Sequence, residues 1–356
     1  LTGTQSAALG GFTAVHAMAN SSPVADNLAV VELVRNLGIR AGYCDVFPVG
    51  AVTKGLAGAQ LADLASMANS QAAVRVFSDD GKCVSDALVM RSALEYTKAF
   101  GGVIAQHAQE PTLTVDAQMN EGAISAKLGL KGWPAMAEES IIARDVLLAE
   151  HTGGRLHICH LSTAGSVEVV RWAKSRGINV TAEVTPHHLS LTQELLTTFD
   201  PVYKVNPPLR SMKDIQALKV GLLDGTIDAV ATDHAPHARR DKELTLDQAP
   251  PGMIGLETAL GVVLSCVDLD PVQIAAVMSR NPARIAQITE QHGHNIGVGD
   301  IAHLCVVDLN AMWQVDPSKM ASKSRNTPFV GRQLRGMVRS TMYRGQITVL
   351  DGVAQK

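Results

Sequence analysis

Apolar positions along this chain follow two alternating rhythms. Short runs rich in Val, Ile and Ala predict strands over 12–17, 42–47, 73–77, 102–107, 155–160, 179–184 and 227–232. Between them, stretches with apolar residues every three to four positions predict helices over 27–37, 59–67, 85–100, 137–152, 166–176, 212–224 and 271–278. The stretch 137–152 sets Ile141, Ile142, Val146 and Leu148 apart from Glu138, Glu139, Arg144 and Asp145, and it runs into Gly153-Gly154, a C-cap signal. So many consecutive strand–helix units, with polar clusters after the strands, predict an α/β fold: a parallel (β/α)8 TIM-like barrel rather than an open doubly wound sheet.

After about residue 295 the rhythm changes to short β patterns over 301–309 and 336–350, bounded by Gly299-Asp300, Gly345 and Asp351-Gly352. The expected division is a hydrolase barrel over 1–295, followed over 296–356 by strands of a small accessory β domain. Those strands are expected to find few partners within that stretch alone.

Composition narrows the partners. With 46% hydrophobic and 18% charged residues the chain has material for a large core. Net charge is −3, and Lys and Arg are scattered without a basic run, which argues against nucleic acid or an anionic membrane and for a small-molecule substrate. No apolar stretch approaches the roughly 20 residues of a membrane span. There is no GxGxxG or Walker loop for a nucleotide, and Leu1-Thr2-Gly3-Thr4 lacks a basic n-region, so a cytoplasmic location is expected. Cys44, Cys83, Cys159, Cys266 and Cys305 are odd in number, far apart and without a CxxC pair, and they read as reduced core residues.

Four strand ends carry ligand-type side chains: Asp79-Asp80, His107, His160 and Asp233. The C-terminal strand ends of a barrel converge on one face, so residues distant in sequence can share a site there. By strand parity His160 is in phase with Leu156 and Ile158, whereas His157 and Cys159 point the other way, which favours His160 as a ligand. Two imidazoles with one or two carboxylates suit Zn²⁺ or a similar divalent ion, and a carboxylate can bridge a metal pair. Such ions polarise a carbonyl and make hydroxide available near neutral pH, while an unshared carboxylate carries the proton from water to a leaving nitrogen. Asp233 fits that role, and beside cations its pKa is expected to be low, so that it starts as a base.

Taken singly, these residues also have plainer readings. Asp79-Asp80-Gly81 reads as a turn, a lone histidine as a core or surface residue, and Asp233 as a helix cap. Their joint placement favours the metal reading. His187-His188, in a Thr-Pro turn, are expected to be structural or to orient a ligand, and His234 to pack or hydrogen-bond. His16, His151, His292, His294 and His303 are expected to be incidental, and 238–243 a solvated loop.

The stretches Phe77-Ser78-Asp79-Asp80-Gly81, Gln106-His107-Ala108-Gln109-Glu110, Ile158-Cys159-His160-Leu161-Ser162-Thr163, Glu183-Val184-Thr185-Pro186-His187-His188-Leu189, Val205-Asn206-Pro207-Pro208-Leu209-Arg210 and Thr232-Asp233-His234-Ala235-Pro236-His237 resemble the cyclic amidohydrolases, specifically the class I dihydroorotases. The resemblance spans essentially the whole chain. It implies reversible, zinc-dependent cyclisation of N-carbamoyl-L-aspartate to dihydroorotate in pyrimidine biosynthesis. It also implies that Asp80 bridges two zinc ions, that His107 and His160 hold the second, and that Asp233 touches the first and serves as catalytic base and acid. By the same resemblance Asn20, Asn206 and His237 bind substrate, with Pro251 and Gly252 lining the pocket.

The family's opening His-x-His-x-Arg metal motif is absent from these 356 residues; the only His-x-His is His292-Gly293-His294, in a Gly-rich turn. The expectation is a chain lacking its first barrel strand and the amino-terminal part of the small β domain. Its first zinc would keep only Asp80 and Asp233, too few for a tight site, and activity is expected to be weak or absent. Two other readings stay open: another cyclic amide hydrolase of the allantoinase or dihydropyrimidinase type, and a non-catalytic subunit partnering aspartate transcarbamoylase. A homodimer is a further expectation.

Overall fold

A computed structural model describes residues 1–355. Seven short parallel strands run in series: β1 (Ala14–Ala17), β2 (Asp45–Pro48), β3 (Val76–Phe77), β4 (Val103–Gln106) and, after the two-residue strands β5 (Met119–Asn120) and β6 (Gly132–Trp133), which pair only with each other, β7 (Arg155–Ile158), β8 (Val180–Val184) and β9 (Ala229–Val230). β1 pairs with β2, a bridge from Gly50 to Phe77 joins β2 to β3, and the order β3-β4-β7-β8-β9 follows the order along the chain. Each predicted barrel strand is present but shorter than its apolar run. All four residues of β4 are buried, as expected of a parallel strand covered on both faces. Among the described residues no backbone pairing joins β9 to β1.

The helices are α1 (Thr2–Leu9), α2 (Leu28–Ala41), α3 (Leu64–Ala68), α4 (Ala87–Thr97), α5 (Ala123–Leu128), α6 (Met136–Thr152), α7 (Ala164–Ser175), α8 (Met212–Leu223), α9 (Arg239–Lys242), α10 (Ala259–Cys266), α11 (Pro271–Ala275) and α12 (Asn281–Ala286). Local chemistry sets several ends. The Asn27 carboxamide accepts from Ala29 and Val30 at the start of α2, Ser211 and Asp214 form a reciprocal capping box on α8, and Gly153 closes α6 at φ 67°, a conformation that glycine adopts without Cβ strain. α4, α6, α7 and α8 pack in succession outside the strands. Leu156 and Ile158 of β7 join the large core that also holds Ile142, Val146 and Val167. α1, α5, α9, α10 and α12 lie outside the predicted helices, and the predicted helix over 59–67 is reduced to α3.

Helix α6 departs from its expected amphipathic pattern in an instructive way. Glu138 and Asp145, assigned to its polar face, are buried. Glu138 accepts from the Ser162 and Thr163 backbone N–H groups at 2.9 and 3.3 Å and from the Ser162 hydroxyl, and Arg210 lies 3.9 Å away. Asp145 accepts from Arg144 at 2.8 Å and from Gln106 at 2.8 Å. These carboxylates are satisfied by loops and by strand β4, partners that helical periodicity cannot reveal. Both tie the helix to segments carrying His107 and His160.

The C-terminal stretch also differs from expectation. β10 (Leu304–Gln314), β11 (Gln333–Tyr343), β12 (Gln346–Leu350) and β13 (Val353–Ala354) form a four-stranded antiparallel sheet, so these strands find their partners in each other. Two-residue turns at Arg344-Gly345 and Asp351-Gly352, each with positive φ, supply the hairpins. α10 packs on β11, where Arg335 donates to the Leu264 carbonyl at 2.7 Å, and the Thr341 hydroxyl donates to the Ala8 carbonyl at the end of α1.

Glu138→Ala is expected to destabilise the chain by about 3–5 kcal/mol in urea unfolding, because it strands the buried Arg210 cation and frees the loop after His160. A loss below about 1 kcal/mol would show that the pair is not what holds that loop.

Candidate functional site

Three strand ends bring Asp80, His107 and His160 together. His160 Nε2 lies 3.4 Å and His107 Nδ1 3.5 Å from Asp80 Oδ1, and the two ring nitrogens are 2.9 Å apart. The three form a group whose ligand-type atoms all lie within 4.8 Å of one another. Both imidazoles are buried. Burial by itself raises the Asp80 carboxyl, but hydrogen bonds and charge from His107 and His160 outweigh it and hold that carboxyl well below the usual carboxylate range. Burial likewise opposes protonation of His160, yet Asp80, Asp233 and Glu183 push it up to about 9. In the metal-free chain the cluster therefore favours a proton at the place where a carboxylate and two imidazoles converge. That donor set fits a divalent cation, which would replace the proton.

The reason His160 reaches the cluster is not strand parity. Leu156 and Ile158 face the helices, whereas His157 faces Thr181 and Glu183 on β8, at 2.8 and 3.1 Å. In phase with Leu156, His160 would point away from that interior. It lies beyond the end of β7 at φ 36°, and this left-handed backbone turns the ring inward. Asp233 shows the same device at φ 44°, beyond β9. Cys159, expected only as a core residue, falls with His157 and Glu183 in a second group of ligand-type atoms.

Asp233 approaches the cluster closely enough for its charge to act on His160 and Asp80. Burial chiefly, then the Asp80 and Glu183 charges against the opposing pull of His160, push it up to about 7. Burial and the like charges of Asp80 and Glu183 thus outweigh the pull of His160, whereas the low value expected from the sequence is the one for Asp233 beside metal cations.

The remaining candidates sit around this centre. Asn20 donates to Asp80 Oδ2 at 3.2 Å. Asn206 donates to Gln109 Oε1 at 3.1 Å, and the same oxygen lies 3.0 Å from His107 Nε2. Asn206 Oδ1 is buried without a partner. His237 is not in direct contact with the cluster; its Nε2 donates to the Pro251 carbonyl at 2.9 Å. Gly252, at φ 131°, lies where a Cβ would come within 2.8 Å of His237 Nε2, so only glycine lets the two loops meet.

For several residues that shape the site, sequence reasoning offered either no role or only a structural one. Gln109 joins His107 to Asn206, and its place two residues after His107 was the available signal. Asp79 accepts from Val52 and Thr53 N–H at 2.8 and 3.0 Å and from the Thr53 hydroxyl, anchoring the turn that presents Asp80. Asn326 donates to the Ala235 and Gly252 carbonyls at 2.9 and 3.2 Å, clasping the loops around His237 from the C-terminal region. His188 lies 2.8 Å from the Thr185 hydroxyl and 3.1 Å from the Pro207 carbonyl, and His234 Nδ1 accepts from Gly255 and Leu256, so both hold loops in place. In 238–243, read from the sequence as a solvated loop, Ala238, Arg239, Arg240 and Glu243 are exposed around α9, whereas Lys242 is half-buried and donates to the Pro250 and Gly252 carbonyls at 2.9 and 3.0 Å.

Comparison with known proteins bears on the family and the fold. A family model described as Dihydro-orotase-like matches residues 1–166. The chain is 63% identical to a dihydroorotase of Streptomyces coelicolor over 356 residues, covering 99% of this chain and 83% of that protein. It is 53% identical to a dihydroorotase of Mycobacterium tuberculosis, covering 99% and 82%. Among solved structures, an L-hydantoinase (dihydropyrimidinase) from Arthrobacter aurescens matches with a TM-score of 0.85 at 26% identity, covering 99% of this chain and 80% of that one. A dihydropyrimidinase from Brevibacillus agri matches with a TM-score of 0.82 at 21% identity over 99% and 80%, a likeness of fold. With its strand-end carboxylate and imidazoles set in that fold, and with such identity over nearly its whole length, the chain belongs to the dihydroorotase family of cyclic amidohydrolases.

Proposed function

We propose that this chain is built for the reversible, zinc-dependent closure of N-carbamoyl-L-aspartate to (S)-dihydroorotate. The observation that carries the reading is the convergence of Asp80, His107 and His160, with Asp233 beside them. In this reading His107 and His160 would hold the second zinc, Asp233 would belong to the first, and Asp80 would serve both. Zinc bound there supplies Lewis acidity for the reacting carbonyl and its oxyanion. The chain's own groups do the rest. His107 Nε2 donates to Gln109, which leaves the Nδ1 lone pair toward Asp80. Asp233 takes a proton in one direction and returns it in the other. Asn20, Asn206 and His237 contact substrate, with Pro251 and Gly252 shaping the wall beside His237. The division into a barrel over 1–295 and an accessory β unit over 296–356 belongs to the same proposal.

The 356 residues hold no His-x-His-x-Arg, so Asp80 and Asp233 are the only ligands proposed here for the first zinc. This polypeptide assayed by itself is therefore expected to turn over weakly or not at all. Normal turnover of dihydroorotate by the purified, zinc-loaded chain would refute that.

Substrate class is tested by titrating the zinc-loaded chain with dihydroorotate, allantoin and dihydrouracil, following both heat and turnover. Preference for dihydroorotate, weakened in Asn206→Ala, is expected; preference for either other ring overturns the assignment. Gln109→Leu is expected to weaken zinc binding about 10–100-fold in equilibrium titration, because it removes the acceptor that orients His107. Unchanged affinity would mean that the ring is held by packing alone.

A further inference from the structure

At the other end of the strands, a third group of ligand-type side chains meets. Asp45 opens β2, His292 follows α12, and His303 precedes β10, and their ligand-type atoms all lie within 4.8 Å of one another. Asp45 stands at the amino end of its strand, whereas Asp80 and Asp233 follow the carboxyl ends of theirs, so the two clusters occupy opposite poles of the strand series. We propose that Asp45, His292 and His303 form a separate site for a divalent transition-metal cation, a structural staple between the barrel and the C-terminal sheet.

The donor set has the required chemistry. Two imidazoles and one carboxylate are a usual complement for Zn²⁺ or Co²⁺, with a fourth position left for water. The two Asp45 oxygens have distinct partners: Oδ1 accepts from the Tyr343 hydroxyl at 2.6 Å and from Arg344 at 3.0 Å, while Oδ2 faces His292 Nε2 at 2.9 Å. Tyr343 thus orients the carboxylate as an outer partner does in a metal site, leaving Oδ2 for the ion. Thr13 Oγ1 lies 3.2 Å from His292 Nδ1. If His292 donates there, the Nε2 lone pair and Oδ2 confront one another, an arrangement that a cation relieves.

His303 supplies a second, independent observation. Its Nδ1 is buried and has no hydrogen-bond partner, a costly state for a ring nitrogen that a metal–ligand bond would satisfy. The His292 and His303 rings pack with centroids 4.2 Å apart. Burial, reinforced by His292, lowers His303 to about 4, so the ring is neutral near pH 7 and offers a lone pair. Arg344 places a positive charge beside the site, which lowers His303 further and disfavours a cation there. Its side chain is 56% exposed and can turn to solvent. A cavity of about 150 Å³ adjoins the cluster: His16, Phe47 and Gln291 line it, and the Phe47 ring meets the His292 edge at 6.0 Å.

The test uses Co²⁺ as probe on the chelator-stripped chain carrying His107→Ala and His160→Ala, which removes the strand-end cluster. Equilibrium dialysis and metal analysis are expected to find one Co²⁺ per chain, with ligand-field bands of nitrogen and oxygen donors and a metal-dependent rise in Tm. Adding His303→Gln, with folding checked by circular dichroism, is expected to abolish both binding and the Tm rise. Absence of cobalt, cobalt that survives His303→Gln, or a thiolate charge-transfer band from Cys159 would each overturn the proposal. Should the double variant not fold, His303→Gln in the otherwise unaltered chain must lose one equivalent of cobalt, and an unchanged stoichiometry overturns the proposal there too.

Discussion

The contact of one carboxylate with two imidazoles, Asp80 with His107 and His160, is the constraint around which the barrel face is arranged. Groups of this kind are costly to bury singly. Held together by strands that are adjacent in the series, they compensate one another: the imidazoles keep the carboxylate ionised, and the carboxylate keeps a proton on His160. A cation introduced there exchanges for a proton, so the metal-free chain already has the electrostatic shape of a metal site.

Holding those groups in place takes further buried polar chemistry. Asp79 secures the turn before Asp80, Gln106 ties β4 to Asp145 just before His107, and Glu138 receives the backbone N–H groups just after His160. In each case a buried polar residue near a candidate ligand bonds to backbone or amide groups of a neighbouring element. The resulting rigidity allows left-handed backbone at His160 and Asp233, which solvent-exposed loops would relax.

The same logic operates at the opposite pole, where Asp45 links β2 to Tyr343, Arg344 and His292. The C-terminal sheet is therefore anchored to the barrel through hydrogen bonds and charge as well as through apolar packing. Asn326 extends that dependence to the loops around His237.

Periodicity determined the order of strands and helices, because alternation and the 3.6-residue repeat record which face each segment buries. Motif spacing along that order marked Asp80, His107, His160 and Asp233 as strand-end residues. Sequence could not show why His160 turns inward, since a left-handed φ beyond the strand breaks the parity on which the expectation rested. Nor could it show that Glu138 and Asp145 lie inside, that Gln109 bridges two candidate residues, or that His292 and His303, taken as incidental, meet Asp45. Each of these depends on partners far away along the chain. A local pattern records a segment's preference for water or core, whereas the pairing of buried polar groups is decided only when tertiary packing removes the water that would otherwise satisfy them.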